Sequence, residues 1–129
     1  MVSYARYAFV GLVWLYLAGL TVQTFLAGIG IFGIERDFDL HRSLGYLLHL
    51  TPILLVGTAW VGRVGRPLIW LTVALLIVQG IQPLLPLLRA DMPWAAALHP
   101  VLALGLFWLA VTVGLQAWHL VRAPAPASN

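Results

Sequence analysis

The sequence predicts an all-α integral membrane protein, an up-down four-helix bundle, on three observations. Four apolar stretches each reach the roughly 20 residues that a helix needs to cross the hydrocarbon core. Only 9% of residues are charged against 62% hydrophobic, and the charges fall in or beside the short breaks and the two tails. Those breaks are so short that consecutive helices must lie antiparallel and adjacent. Lipid offers no partner for a bare N–H or C=O, so helix is the form these stretches can take.

The first stretch, residues 7–31, carries no charge and follows Arg6. It is about twice the length of a signal-peptide core and lacks a clean small-residue cleavage site, so an uncleaved span is expected. The break 32–39 (FGIERDFD) holds three acids and an arginine, and the second span follows over 40–61. GRVGR at 62–66 leads into the third span, 67–88, which Pro67 opens. RADMP at 89–93 leads into the fourth, 94–121. Together these make one transmembrane domain over 1–122, and the tail 123–129 (APAPASN) has the composition of a disordered segment. Pro52 and Pro83 read as kinks. Trp14, Trp60, Trp70, Trp94 and Trp118 fall toward span ends, as interfacial anchors do, while Trp108 lies deeper.

Charge gives the expected orientation. Arg6, Arg63, Arg66 and Arg122 share one face; Arg36, Arg42 and Arg89 share the other, with all four acids. The arginine excess places both termini in the cytoplasm of a bacterial inner membrane. The net charge of +3 comes from arginine alone, and the seven arginines are too scattered to form a nucleic-acid patch. Without cysteine there are no disulfides, thiolate metal sites or Cys nucleophiles. Lysine is absent too, and the residue usage fits a GC-rich bacterial genome.

Within such a chain each ionisable group inside a span is costly and marks a site. His41 opens the second span and His99 the fourth, and both spans enter the membrane from the same side. His49 lies eight residues beyond His41, about 12 Å deeper and rotated by roughly 80°. His99 comes about 9 Å in, between the two. The first and third spans bring Gln23, Thr24, Gln79 and Gln82 to the same leaflet. The other half of the bundle has only Gln116 and His119, the latter an interfacial anchor beside Trp118 and Arg122.

Two histidines on non-neighbouring helices can hold a flat iron porphyrin through both axial positions, which makes an electron-transfer site. His41 and His99 are the candidate metal ligands, with His49 as the alternative or as their partner. Gly45, one turn below His41, would admit the ring closely, and Arg42 could pair with a propionate. Gln23 and Gln79 complete the candidate heme b pocket. The competing reading is a scaffold or accessory subunit whose His and Gln side chains form an interhelical hydrogen-bond network. A quinone or lipid-like pocket lined by the same groups is a third. No carboxylate inside a span balances a divalent ion, and only Ser43 of the three serines approaches a histidine, which argues against metal transport and serine hydrolysis. Nothing in the pattern assigns an enzymatic activity. The expected partners are the lipid bilayer and, on the redox reading, a quinone or a larger membrane complex.

FLAGIGIF (25–32), FDLHRSLGYLLH (38–49), the late glutamine of the third span and AALHP (96–100) resemble an uncharacterised family of small four-span bacterial membrane proteins. That resemblance implies fold and topology but no activity. The His41-Arg42 pair and His99 are also similar to the half-bundle of heme A synthase, whose second helix opens with a His-Arg pair and whose fourth carries a second heme-ligating histidine. The glutamate before that pair is missing here, Asp39 standing two residues ahead of His41, and there is only one half-bundle. The likeness therefore implies a single b-type heme rather than heme oxidation.

Overall fold

Buried residues recur at alternating spacings of four and three along the long helices, and this stripe sets the architecture. The structure, a computed structural model, describes residues 1–33 and 38–122 of the 129-residue chain. The order is α1 (Val2–Ile31), α2 (Asp39–Leu48), α3 (Leu50–Val61), α4 (Arg66–Ile81), a 3₁₀ turn (Leu85–Arg89), α5 (Pro93–Ala96) and α6 (Leu98–Arg122). They combine into four spans long and apolar enough to cross a membrane: Val2–Ile31, Asp39–Val61, Arg66–Arg89 and Pro93–Arg122. By helix length and hydropathy this is a multi-pass membrane protein, all-α, with its spans packed as a bundle. Residues 34–37 of the acidic break, and the tail 123–129 expected to be disordered, lie outside the described residues.

In α1 the stripe is Phe9, Val13, Tyr16 and Leu20; in α4 it is Leu68, Thr72, Leu75 and Gln79; in α6 it is Leu106, Ala110, Val113 and Ala117. A mean period near 3.5 residues keeps one seam facing the neighbours, as in shallow-angle helical bundles. Each span packs on its chain neighbours and the first also packs on the fourth, closing a ring of four. The first and third spans thus face each other diagonally, as do the second and fourth. Outside the stripe the helices stay apolar: Leu15, Phe25, Leu54, Leu104 and all six tryptophans are exposed. In water this would be a large sticky surface; against lipid it is the expected coat. Small residues bring α6 close to α1. A Cβ on Gly114, between Ala110 and Ala117 on the buried face, would stand 3.2 Å from Val13 Cγ1.

The two ends of the bundle differ. At the end that carries the α3–α4 connection the helices are regular. Helix α1 begins at Val2, ahead of the apolar run, and Arg6 sits inside it with its Nε donating to Gly62 O at 2.8 Å and Nη2 to Arg63 O at 3.3 Å. A cation there meets the negative carbonyl end of α3. The connection turns through Arg63 and Gly65, both at positive φ (48° and 101°).

At the opposite end three of the four spans are interrupted, and proline is the common cause. It lacks an N–H and its ring clashes with the carbonyl four residues back. The second span breaks at His49, three residues before Pro52, and the fourth at Ala97, three residues before Pro100. The third span, expected as one helix to residue 88, ends its α-helical part at Ile81 and finishes as a 3₁₀ turn, because Pro83 and Pro86 stand in the next turn. We expect Gly114→Leu to lower the stability of the detergent-solubilised protein by about 1–3 kcal/mol through overpacking of the α1–α6 seam. Gly105→Ala, where an added Cβ meets nothing within 4 Å, should be neutral or slightly stabilising. Thermal melts of the two variants make the comparison.

Candidate functional site

Where the helices are interrupted, the buried stripe turns polar. In the third span Leu75 is followed in the same spacing by Gln79 and Gln82, both buried. The other three spans bring Gln23, His41, His49 and His99 to meet them, in two tiers.

The outer tier rests on the start of α2. Phe38 precedes the helix in the left-handed conformation (φ 54°) and lays its ring against Gly30, where a Cβ would come within 2.5 Å of it. The same ring meets His41 edge-on, with centroids 6.3 Å apart. His41 and α1 clasp each other: Nδ1 lies 3.1 Å from Gln23 O, while Gln23 Nε2 donates to His41 O at 2.7 Å. Gly45 makes this possible, since a Cβ there would stand 2.9 Å from Gln23 Nε2. From the diagonal span comes His99, its ring centroid 6.1 Å from that of His41 and the planes at 75°. His99 Nδ1 lies 3.0 Å from Gln82 O. The Gln82 amide is assigned with Nε2 toward His99 O (3.2 Å) and Oε1 toward Ala103 N–H (2.8 Å), which gives both atoms a partner on α6.

A carbonyl can only accept, so His41 Nδ1 carries the proton and its Nε2 keeps its lone pair. His99 Nδ1 faces both the Gln82 carbonyl and, at 2.9 Å, the Gln82 amide nitrogen, so its contacts admit either tautomer. Among the described residues neither Nε2 has a hydrogen bond. No group of three or more His, Cys, Asp or Glu side chains there could hold a metal ion. The pair thus brings two imidazoles from different spans together.

The deeper tier links the other diagonal. Tyr16 OH donates to Gln79 Oε1 at 2.5 Å, and Gln79 Nε2 lies 3.3 Å from His49 Nδ1. His49 stands on the α2–α3 break itself. Its backbone N–H reaches Tyr46 O at 3.3 Å, the tighter three-residue step, while its own Nδ1 lies 2.6 Å from Gly45 O. Its Nε2, like Gln23 Oε1, is buried without a partner among the described residues.

The residues singled out from sequence therefore do converge, but not uniformly. His41, His99 and Gln23 share the outer tier, with Gly45 under the Gln23 amide; His49 and Gln79 form the deeper one. Arg42 is exposed and paired with Asp39. His119 is exposed at the far end of α6. Sequence reasoning left Tyr16, Phe38 and Gln82 out of the site. Tyr16 had a signal, being a phenol mid-way along a charge-free span rather than at its ends. Gln82 had one too, three residues from Gln79 and therefore on the same face.

Residues 23–90, just over half of the chain, match the model of a family described as a family of unknown function, DUF6220. The chain belongs to that family. No curated protein and no solved structure matches it. The DUF6220 match runs from Gln23 to the end of the 3₁₀ turn, so it takes in His41, Gly45, His49, Gln79 and Gln82 but neither Tyr16 nor His99. In this DUF6220 chain the partners from outside the match reach the site across the two diagonals.

The Tyr16–Gln79 bond invites a direct measurement. Tyr16→Phe leaves a buried amide oxygen unpaired and should cost about 1–2 kcal/mol. Tyr16→Phe with Gln79→Leu should cost less than the two single changes summed, by about 0.6 kcal/mol or more. Unfolding of the four proteins in mixed micelles gives the coupling.

Proposed function

We propose that this DUF6220 protein is a small membrane cytochrome holding one b-type heme between His41 and His99. The observation that carries this reading is the approach of two imidazoles from diagonal spans, ring centroids 6.1 Å apart and planes at 75°. His41 and His99 would hold the iron, because rings this close can ligate one metal ion between them. His41 Nδ1 is committed to a backbone carbonyl of another span, the arrangement that fixes a tautomer with Nε2 free for a metal, and His99 Nδ1 is held at the Gln82 carbonyl and amide. Two imidazole donors also suit a group that brings four nitrogens of its own. A heme so held supplies one-electron transfer with no open coordination position.

On this reading the chain's own residues divide the work. His41 and His99 donate, Gln23 and Gln82 hold their rings, and Arg42 provides a cation at the surface near His41. His49, fixed to Gly45 and Gln79, supports the pair from the tier below. The His41-Arg42 and His99 likeness to the heme A synthase half-bundle points the same way. The partner class is a redox carrier reaching the site within the membrane, such as a quinone, or a neighbouring subunit of a larger complex.

A second reading has its own observation. Three imidazoles and two glutamine side chains bond backbone groups near helix ends and interruptions, which is what a purely structural network would do. The spectrum of the protein separates the two. Protein purified from heme-replete cells should show a reduced-minus-oxidised b-type spectrum at about one heme per chain. His41→Ala and His99→Ala should each abolish it, and His49→Ala should retain it. Colourless wild-type protein sinks the cytochrome and leaves the network.

We further propose that both termini face the cytoplasm of a bacterial inner membrane, on the excess of Arg6, Arg63, Arg66 and Arg122 over Arg36, Arg42 and Arg89. A C-terminal alkaline phosphatase fusion should be inactive and a C-terminal fluorescent-protein fusion bright; the reverse pattern overturns the orientation.

A further inference from the structure

At the end of the bundle opposite the histidines, α3 and α4 part into a groove of about 780 Å³ that opens outward. Val56 and Trp60 form one wall and Ile69, Trp70 and Val73 the other, with Arg63 and Arg66 at the helix ends. Trp60 and Trp70 are both largely exposed. Val56 and Val73 lie five and seven residues from those helix ends, so the apolar floor runs about 8–10 Å toward the bundle centre.

Charge decides what fits. The other described arginines of this end are engaged: Arg6 caps the carbonyls of Gly62 and Arg63, and the Arg122 guanidinium lies 4.6 Å from the centroid of the Trp118 ring. Arg63 and Arg66 are exposed, and neither guanidinium has a hydrogen bond or ion pair among the described residues. The chain's four acids, Glu35, Asp37, Asp39 and Asp91, all belong to the connections of the other end. Arg66 also opens α4, whose amino end adds partial positive charge at the same point. Two unpaired guanidiniums above an apolar, tryptophan-walled slot call for a ligand with an anionic head and a hydrocarbon body.

We propose that this groove is a site for one anionic phospholipid, with its phosphate on Arg63 and Arg66 and an acyl chain between Trp60 and Trp70. Basic pockets between spanning helices bind such headgroups by charge and place the chains against aromatic walls. The site lies at the other end of the bundle from His41 and His99, so its test is independent of whether heme is bound.

The protein is reconstituted in equimolar phosphatidylglycerol and phosphatidylcholine, released into detergent, and its retained lipid counted by native mass spectrometry. Phosphatidylglycerol should be retained about tenfold over phosphatidylcholine, in keeping with two guanidiniums beside a phosphate. Arg63→Gln with Arg66→Gln should bring the ratio to about one, while Arg89→Gln at the other end leaves it unchanged. Equal retention of the two lipids by the wild type overturns the site, as does undiminished preference in the double variant. Displacement of the lipid by millimolar inorganic phosphate would mean a simple anion site and also overturns it. If the double variant does not fold, brominated lipids test the wild type. Brominated phosphatidylglycerol should quench tryptophan fluorescence more than brominated phosphatidylcholine, and the excess should vanish in Trp60→Phe with Trp70→Phe. No excess in the wild type, or one that survives that change, counts against the site.

Discussion

Every backbone N–H and C=O inside a bilayer must find its partner within the protein, and a proline in a span frees a carbonyl that water cannot serve. Much of one half of this bundle can be read as the answer to that constraint. Pro52, Pro83 and Pro100 interrupt three spans in the same half of the bundle, and the side chains gathered there are ones that can bond backbone. His49 reaches Gly45 O from its own ring, His99 reaches Gln82 O, and the Gln82 amide engages both His99 O and Ala103 N. Histidine and glutamine suit this place because they carry both donor and acceptor without a net charge. A carboxylate or guanidinium would cost several kcal/mol more at such a depth.

The same side chains tie the bundle across its diagonals. Ring neighbours are held by the apolar stripe and by small residues such as Gly114, and in this half of the bundle large polar groups join the diagonal spans. Tyr16 and Gln79 join the first and third spans, and His41 and His99 bring together the second and fourth. Hydrogen bonds between spanning helices average about 0.6 kcal/mol. The network therefore contributes register and orientation more than bulk stability, which rests on the packing of Phe9, Val13, Leu55, Leu75 and Val113.

The fold was legible because its signal is summed over long windows: four charge-poor runs and three short polar breaks leave little but an antiparallel bundle. The convergence of His41, His99, His49, Gln23 and Gln79 on one leaflet was legible as well, since depth follows from counting residues along a helix. Which of them touch was not. His41 with His99 was the favoured pair, but counting depth along straight spans left His49 in competition, and the ring contact is with His41. Gly45 illustrates the same limit. Its spacing from His41 marks a close approach, but the approaching group is the Gln23 amide, set by how α1 packs on α2. Depth alone brought Gln82 to the right leaflet, while its place in the site, like that of Tyr16, becomes visible when the stripe is followed by face.

Fixing a histidine by a backbone carbonyl has a consequence for the outer tier. For His41 the acceptor has no proton to give, so Nδ1 keeps its own and Nε2 is left bare. That form is the least costly one to bury and is also the one that ligates metal. Its ring and that of His99, held from different spans, are already oriented before anything binds. A ligand that uses both nitrogens then spends little free energy on ordering them. A network evolved only to satisfy carbonyls would be served by one imidazole per carbonyl at any separation. The approach of His41 and His99 to 6.1 Å is the part of the geometry that backbone satisfaction alone leaves unexplained.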